Sequence, residues 1–269
     1  MTMGFQIRAM KNTTEATSDS AAIVREKLAL HFDPRWGSPF WITRAEQLGF
    51  DPRTEIRTIE DLAAFGLMEP AMFHGLPVEH FVPKSVLSEP CRLRVCQTGG
   101  TLGRPVWSVY REDEFEAAFV EPFVAAARHV GFPNGKPWLY AGPSGPQIIG
   151  RAAEAIARRT GSPTPFMIDF DPQWARTLEA GSFAAKRYLD HVMRQAMDII
   201  TTQNVGVIFT TPTVLGELAH RMTAEQRQKI EGVHYGGMAL ANDELARFQE
   251  ADFPNAVHLS GYGNSLFGC

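Results

Sequence analysis

The sequence predicts an α/β fold in which mainly parallel sheets are flanked by helices. Short runs of apolar, β-branched and aromatic residues, such as 138–141 and 205–210, alternate with amphipathic segments long enough to form helices. Turns rich in glycine and proline separate these segments. Chains that alternate in this way form right-handed crossovers, which place successive strands parallel in one sheet.

The composition is that of a globular protein with a sizeable core. Of 269 residues, 44% are hydrophobic and 21% are charged. A net charge of −4 gives no basic footprint, so we expect no nucleic-acid partner. No apolar run approaches the length of a membrane span, and we expect a cytoplasmic protein without a membrane partner. The three cysteines, at 91, 96 and 269, lack a metal-type spacing and predict neither a disulfide framework nor a metal site.

Residues 1–90 predict a helical lead-in followed by an irregular connection. The expected helices are 20–32, which Asp33-Pro34 ends, 39–49, and one that begins at Thr58. Between 70 and 90, prolines interrupt short apolar runs, and His74 and His80 lack a third ligand with fitting spacing. We therefore expect surface histidines in this connection.

Residues 91–269 carry the α/β pattern. The expected strands are 106–110, 138–141, 166–169, 205–210, 232–234 and 256–259, and the expected helices are 112–130, 148–160, 188–201 and 213–222. The strand at 106–110 follows a glycine-rich loop, with which it is expected to form a hairpin.

That loop, 96–105, is the strongest candidate for a binding site. It contains three glycines, two threonines and Arg104, and it directly follows Leu93-Arg94-Val95. Glycine lets the backbone turn sharply and approach a ligand, and successive N–H groups in such a turn form an anion-binding concavity. Arg104 adds a planar set of donors suited to phosphate. The spacing is neither the P-loop pattern nor the dinucleotide fingerprint, so an ordinary hairpin turn is the alternative.

Four turns that follow predicted strands are unusually small or polar, namely 142–146, 210–213, 236–238 and 260–265. Ligands of open α/β sheets bind beyond the carboxyl ends of the strands, where such turns meet. Any one of them could carry glycine and proline for conformational reasons alone. Four converging turns together with the glycine loop predict a cleft.

The order of these motifs resembles that of the adenylate-forming ligases, in the phenylacetate–coenzyme A ligase branch. The glycine loop resembles the family's Ser-Ser-Gly-Thr-Thr-Gly-Lys-Pro loop. The segments 207–213, 236–239 and 261–266 are similar to its strand with Thr-Pro-Ser, its Gly-Ala-Glu-Pro and its Tyr-Gly-x-Ser/Thr-Glu. With the helix at 56–63, the resemblance covers roughly residues 56–269, by motif order and not by close identity.

The resemblance implies ATP-dependent activation of an aromatic or other bulky carboxylic acid to an acyl-adenylate, followed by transfer to coenzyme A or another acceptor. It implies a nucleotide site made of Thr98, Gly99, Gly100, Thr101, Gly103, Arg104, Gly236, Gly237, Met238, Tyr262, Gly263 and Ser265. In that site the loop and Arg104 hold the outer phosphates, Tyr262 stacks on adenine, and Ser265 faces the α-phosphate. No catalytic residue is assigned.

The resemblance also implies an acid pocket bordered by Tyr140, Gly142, Gly145, Gly236 and Gly261. Gly142 and Gly145 stand where relatives carry aromatic side chains, so we expect space for an acid larger than phenylacetate. A fused-ring carboxylate of the kind used in phenazine antibiotic pathways is one such acid. The expected partners are ATP, the acid and coenzyme A, and a homodimer is left open.

Three departures from the family pattern define an alternative. Leu266 stands where the family has its magnesium-binding glutamate, and leucine has no oxygen to offer a hard cation. Leu102 replaces a loop threonine, and the chain ends at Cys269, before the family's ribose-binding aspartate and C-terminal domain. The alternative to a truncated ligase is therefore a degenerate, inactive binding or scaffold protein with the same fold.

Overall fold

The computed structural model describes residues 13–90, 92–100 and 103–266. The chain divides into two compact units, Met1–Cys91 and Arg92–Cys269. In the described part of the chain, no helix has the length and apolar character needed to cross a membrane. Two of the cysteines, Cys91 and Cys269, lie outside the described residues.

The first unit is helical. Its α-helices are α1 (Thr13–His31), α2 (Pro39–Leu48), α3 (Pro52–Glu55) and α4 (Lys84–Leu87), and its 3-10 helices are Glu60–Phe65, Pro70–Phe73 and Val78–Phe81. Val24, Leu28 and Phe32 bury one face of the first helix against Ile56 and Phe65. The first two predicted helices are confirmed, although α1 begins before residue 20, and the segment expected to form a helix from Thr58 is a 3-10 helix that begins at Glu60.

The prediction of an irregular connection at 70–90 is wrong in detail, because this segment contains three short helical turns. Each begins at or directly after a proline, Pro70, Pro77 or Pro83. Proline has no backbone N–H and a φ near the helical value, so it starts a helical turn as readily as it breaks one. The sequence pattern alone does not separate these two roles.

The second unit is built on a five-stranded sheet of order β4-β3-β5-β6-β7 in which every neighbouring pair is parallel. Its strands are β3 (Trp138–Ala141), β4 (Phe166–Ile168), β5 (Val207–Thr210), β6 (Gly232–Gly236) and β7 (Val257–Gly261). A separate antiparallel hairpin pairs β1 (Leu93–Gln97) with β2 (Trp107–Arg111). The predicted α/β class and the predicted hairpin around the glycine loop are confirmed.

Helices cover both faces of the sheet. They are α5 (Glu112–Phe115), a π-helical segment (Glu116–Val120), α6 (Glu121–Val130), α7 (Ile148–Arg159), α8 (Pro172–Ala175), α9 (Phe183–Thr202), α10 (Pro212–Arg221), α11 (Ala224–Gln228), α12 (Asn242–Arg247) and a second π-helical segment (Phe248–Asp252). The four predicted helices are present. The short helices α8, α11 and α12 were not predicted, because segments of four to six residues show no apolar period.

The core follows the two-residue period of the strands. Leu139 and Ile208 lie in a buried cluster with α9 and α10, whereas Trp138, Tyr140 and Phe209 lie in a second cluster with α6 and α7. Successive strand residues point to opposite faces, so each helical layer packs against every other residue. A sheet covered on both faces exposes its functional groups at the strand ends.

Candidate functional site

The glycine loop closes the β1–β2 hairpin. The N–H of Thr98 donates to Val106 O over 2.9 Å, and the N–H of Val106 donates to the Oγ1 atom of Thr98 over 2.9 Å. The threonine hydroxyl therefore braces the base of the loop by accepting one hydrogen bond, and it keeps its own O–H for a further acceptor. Thr101, which is predicted to bind phosphate, lies outside the described residues. So does Leu102, which is predicted to replace a threonine of the loop and thereby to remove a hydroxyl.

Two glycines in the loop adopt backbone conformations that other residues rarely take. Gly100 has a φ of 64° and Gly103 a φ of 144°. A Cβ at Gly100 would lie 2.8 Å from the Cγ of Pro105, so both conformation and space require glycine there. The N–H groups of Gly99 and Gly100 donate to no other described residue. The loop thus has backbone donors that an anion can accept from.

The hairpin contacts the turn that follows β3. The N–H of Gln97 donates to Pro146 O over 2.8 Å, and Gln97 forms an isolated parallel bridge with Gln147. The turn itself is held from the neighbouring strand end, because Ser144 N donates to the Oδ1 of Asp169 over 2.8 Å. The predicted phosphate loop and the predicted turn at 142–146 therefore lie side by side.

The hairpin also contacts the turn that follows β7. Ser108 Oγ donates to Ser265 O over 3.2 Å, and Tyr110 OH donates to the same oxygen over 2.8 Å. The turn is closed by Leu266 N, which donates to the Oδ1 of Asn264 over 2.8 Å. Tyr262, at the start of the turn, is 88% exposed. The hairpin that carries the glycine loop thus also contacts the turn at 262–265. The ring of Tyr262 is exposed and can stack on a ligand.

The turns after β5 and β6 form the middle of this edge. Thr213 Oγ1 lies 3.6 Å from the Sδ of Met238. Gly237 has a left-handed φ of 80°, and a Cβ there would lie 4.0 Å from the Cγ2 of Thr211. Gly236 is paired with Gly261 on the adjacent strand, and a Cβ at Gly236 would lie 2.9 Å from Gly261 O. Glycine at 236 therefore permits the close approach of two strands.

The structure corrects the predicted space beside Gly142. A Cβ there would lie 2.7 Å from the hydroxyl oxygen of Tyr140, whose ring is buried in the core. The Tyr140 hydroxyl donates to Pro143 O over 2.9 Å, and burial raises the pKa of Tyr140 above its usual range. The missing side chain at 142 makes room for Tyr140, not for a ligand. At Gly145 a Cβ would make an ordinary contact, 3.5 Å from the Oε1 of Gln147, and the expectation of space for an acid there stays a prediction.

His234 lies beneath the end of β7 and explains the glycine at 261. A Cβ on Gly261 would lie 2.8 Å from the Cε1 of His234. The His234 ring packs on Phe209, and its Nδ1 lies 2.7 Å from Leu259 O. Burial lowers the pKa of His234 to about 4, so the ring is neutral at pH 7 and adds no charge to this edge.

The sequence analysis missed the turn that follows β4. Asp171 accepts from the N–H groups of Gln173 and Trp174 and thereby caps α8. The ring of Trp174 packs against Tyr188 at 4.6 Å between centroids, and Arg176 donates to Gly99 O over 2.5 Å. The signal was Asp169-Phe170-Asp171-Pro172, an acidic cap followed by proline at the first helical position.

Magnesium, which the fold family implies, does not fit the residues at the last turn. Leu266 is 45% exposed, and its side chain has no oxygen to coordinate a hard cation. Across residues 13–90, 92–100 and 103–266, no group of three or more histidine, cysteine, aspartate or glutamate side chains could hold a metal ion. The charge at the loop comes from arginine, with Arg104 in the loop and Arg176 against it.

No protein-family model and no curated protein matches the chain. Its fold matches solved structures of 2-hydroxyisobutyryl-CoA ligase. An open conformation in complex with 2-HIB-AMP and CoA aligns with a TM-score of 0.63 and 16% identity over 93% of this chain and 54% of that one. The ligase in the thioesterification state, also with 2-HIB-AMP and CoA, aligns with a TM-score of 0.62 and 16% identity over 93% and 49%.

The chain therefore shares the fold of part of 2-hydroxyisobutyryl-CoA ligase, and it spans about half the length of these structures. The predicted fold is confirmed. The assignment to the phenylacetate–coenzyme A ligase branch stays a prediction.

Proposed function

We propose that this chain supplies the nucleotide- and acid-binding part of an enzyme that activates a carboxylic acid with ATP. The observation that carries the proposal is the glycine hairpin at the carboxyl edge of the sheet. Its backbone donors at Gly99 and Gly100 are open, and its strand β2 contacts Ser265 in the last turn through Ser108 and Tyr110. The fold shared with a ligase solved with an acyl-adenylate and CoA supports the same reaction class.

In this reaction a carboxylate oxygen attacks the α-phosphorus of ATP, the bond to the bridging oxygen breaks, and pyrophosphate leaves with both electrons. The negative charge that moves lies on phosphate oxygens, so fixed donors and cations stabilise it. In our assignment the amides of Gly99 and Gly100, with Arg104, hold the β- and γ-phosphates. Ser265 faces the α-phosphate, and the exposed ring of Tyr262 stacks on adenine. Coenzyme A is the proposed acceptor of the acyl group.

We propose that the acid is aromatic or otherwise bulky, with a fused-ring carboxylate as one candidate. Tyr140 and Gly142 no longer support this assignment, since the tyrosine ring fills the space. Its support is now Gly145, where a Cβ would make only an ordinary contact with the Gln147 side chain, and the half-exposed Trp174 on the neighbouring turn. Aromatic rings bury more apolar area than short aliphatic acids and stack on other rings.

A second candidate is a binding or scaffold protein that has kept the fold and lost the reaction. Leu266 favours it, because the position that holds magnesium in the family has no oxygen here. Exchange of pyrophosphate into ATP separates the two, because only an enzyme that forms the acyl-adenylate catalyses an acid-dependent exchange. A scaffold binds nucleotide or acid without it.

Calorimetric titration with ATP and AMP tests the nucleotide site. We expect Arg104→Ala to weaken ATP binding about tenfold and AMP binding less than twofold, because a charge-assisted contact to an outer phosphate is lost. Arg128→Ala, an exposed arginine on α6, is the matched control for net charge and should change neither affinity. Equal losses for ATP and AMP, or no heat with either nucleotide for the unmodified chain, would contradict the assignment.

A melting-temperature screen tests the acid class. A ligand that binds only the folded protein raises its apparent stability by mass action. We expect aromatic carboxylates to raise the melting temperature more than acetate or short fatty acids do. The reason is that burying the apolar surface of an aromatic acid is more favourable by roughly 1–3 kcal/mol. Gly145→Phe should remove the effect of fused-ring acids first and spare smaller ones. A screen that ranks acetate above every aromatic acid places the pocket elsewhere.

A further inference from the structure

Arg176 connects two segments that lie far apart in the sequence. Its Nη2 donates to Gly99 O over 2.5 Å, and its Nε donates to Pro172 O over 2.9 Å. Two donors of one planar guanidinium are thus fixed to two backbone carbonyls, so the orientation of the plane is set. The contact with Gly99 spans 77 residues of sequence. It reaches the glycine loop next to its open amide donors.

The segment that carries Arg176 is itself anchored. Asp171 caps α8, and the N–H of Asp171 donates to the hydroxyl of Tyr188 on α9 over 2.6 Å. Trp174 packs its ring against Tyr188. The arginine therefore extends from a support that is held by the long helix α9, and its contact can restrain a loop that has little support of its own.

The charge of Arg176 also differs from that of several arginines in this unit. Arg94, Arg111 and Arg221 each form an ion pair with a carboxylate. Arg176 forms no ion pair with a carboxylate in the part of the chain that the structure describes. Its acceptors are neutral carbonyl oxygens, so the positive charge beside the loop is not cancelled by a side chain.

We propose that Arg176 is a positioning residue that holds the glycine loop through the Gly99 carbonyl and so sets the affinity of the loop for ATP. The proposal rests on the proposed nucleotide site. Held at Gly99, the loop keeps its amide donors directed to one place before the nucleotide arrives, which reduces the ordering cost of binding. Because the contact lies in the loop assigned to the outer phosphates, Arg176 should act on ATP more than on AMP.

Hydrogen exchange of the chain without nucleotide tests the restraint directly. The reporters are the amides of Thr98 and Val106, which are hydrogen-bonded at the base of the loop. We expect Arg176→Met to increase their exchange about fivefold, because a hydrogen bond that holds the loop at Gly99 is lost. Arg176→Lys, which keeps the charge but carries its donors on a single nitrogen, should recover part of the protection. Arg128→Met should leave the exchange unchanged.

ATP and AMP titrations of the same variants test the consequence. We expect Arg176→Met to weaken ATP binding about fivefold and AMP binding less than twofold, with partial recovery in Arg176→Lys. If exchange rises while the unmodified chain binds no nucleotide, the restraint stands and the proposed function fails. If the unmodified chain binds ATP and Arg176→Met changes neither exchange nor affinity, the proposal for Arg176 is wrong. A melting temperature unchanged in Arg176→Met confirms that the comparison is made on folded protein.

Discussion

The two edges of the parallel sheet differ in how their polar groups are used. At the amino edge, before β5 and β6, a cleft of about 590 Å³ is lined by the end of α9 and by α11. Several of its polar side chains are paired with one another, as in the reciprocal cap of Thr223 and Gln226 and the ion pair of Lys229 with Glu225. Gln226 also donates to Thr201 Oγ1 over 3.3 Å. This edge has the volume of a ligand site, but these side chains already have protein partners.

At the carboxyl edge the hydrogen bonds between distant segments converge on the glycine hairpin and on the turns beside it. Tyr110 reaches Ser265 across 155 residues of sequence, Arg176 reaches Gly99 across 77, and Ser144 reaches Asp169 across 25. Ordering distant segments against one another costs more loop entropy than closing a local turn. The comparison teaches that converging long-range contacts around open donors, and not cavity volume, mark the candidate site.

Replacing Gly142 should change the free energy of unfolding more than any other substitution considered below, because the carboxyl edge depends on the packing of Tyr140 beneath it. A Cβ at 142 would lie 2.7 Å from the Tyr140 hydroxyl, and the ring is held in the core. We expect Gly142→Ala to lower the free energy of unfolding by roughly 1–3 kcal/mol, the usual cost of overpacking. Thermal or urea unfolding measures it.

Gly145→Ala is the matched control, since a Cβ there meets its nearest atom at an ordinary 3.5 Å. Its stability should stay within about 0.5 kcal/mol of the unmodified chain. Equal stability of the two variants would show that Tyr140 yields to the added methyl group, and the space beside Gly142 would again be open to a ligand.

Thr223→Ala, at the amino edge, should change the free energy of unfolding less than Gly142→Ala does. It also tests whether the amino edge takes part in ATP binding. The Thr223 hydroxyl accepts from Gln226 N over 3.2 Å as the cap of α11. Its loss should lower the free energy of unfolding by about 1 kcal/mol, as for other helix caps, and leave the affinity for ATP unchanged. Unfolding and calorimetry on the same variant check both results. A loss of ATP affinity would move the nucleotide to the amino edge.

The sequence was sufficient to predict the fold and the sheet edge at which the candidate turns meet, because both depend on local patterns. The strand runs at 138–141 and 207–210 have the composition of buried strands, and the turns that follow parallel strands must meet at one edge. The hairpin around the glycine loop follows in the same way from two β-rich runs and a glycine turn between them.

The sequence could not show which side chains pack around each residue. The absence of a side chain at Gly142 is visible in the sequence, but the Tyr140 ring that fills the gap is a property of packing. Arg176 is likewise an ordinary charged residue in the sequence, and only the fold brings it to Gly99. Asp171 was passed over because its signal is that of a routine helix cap.

Hydrogen exchange with and without saturating ATP tests the central assignment most directly, because it compares the two edges in one experiment. We expect ATP to slow exchange in peptides that cover 97–106, 142–147 and 260–266, and to leave 200–205 and 223–230 unchanged. The open amides of Gly99 and Gly100 would then have found their acceptor. Protection confined to the amino-edge peptides, or no protection at any ATP concentration that calorimetry shows to be bound, would contradict a nucleotide site at the carboxyl edge.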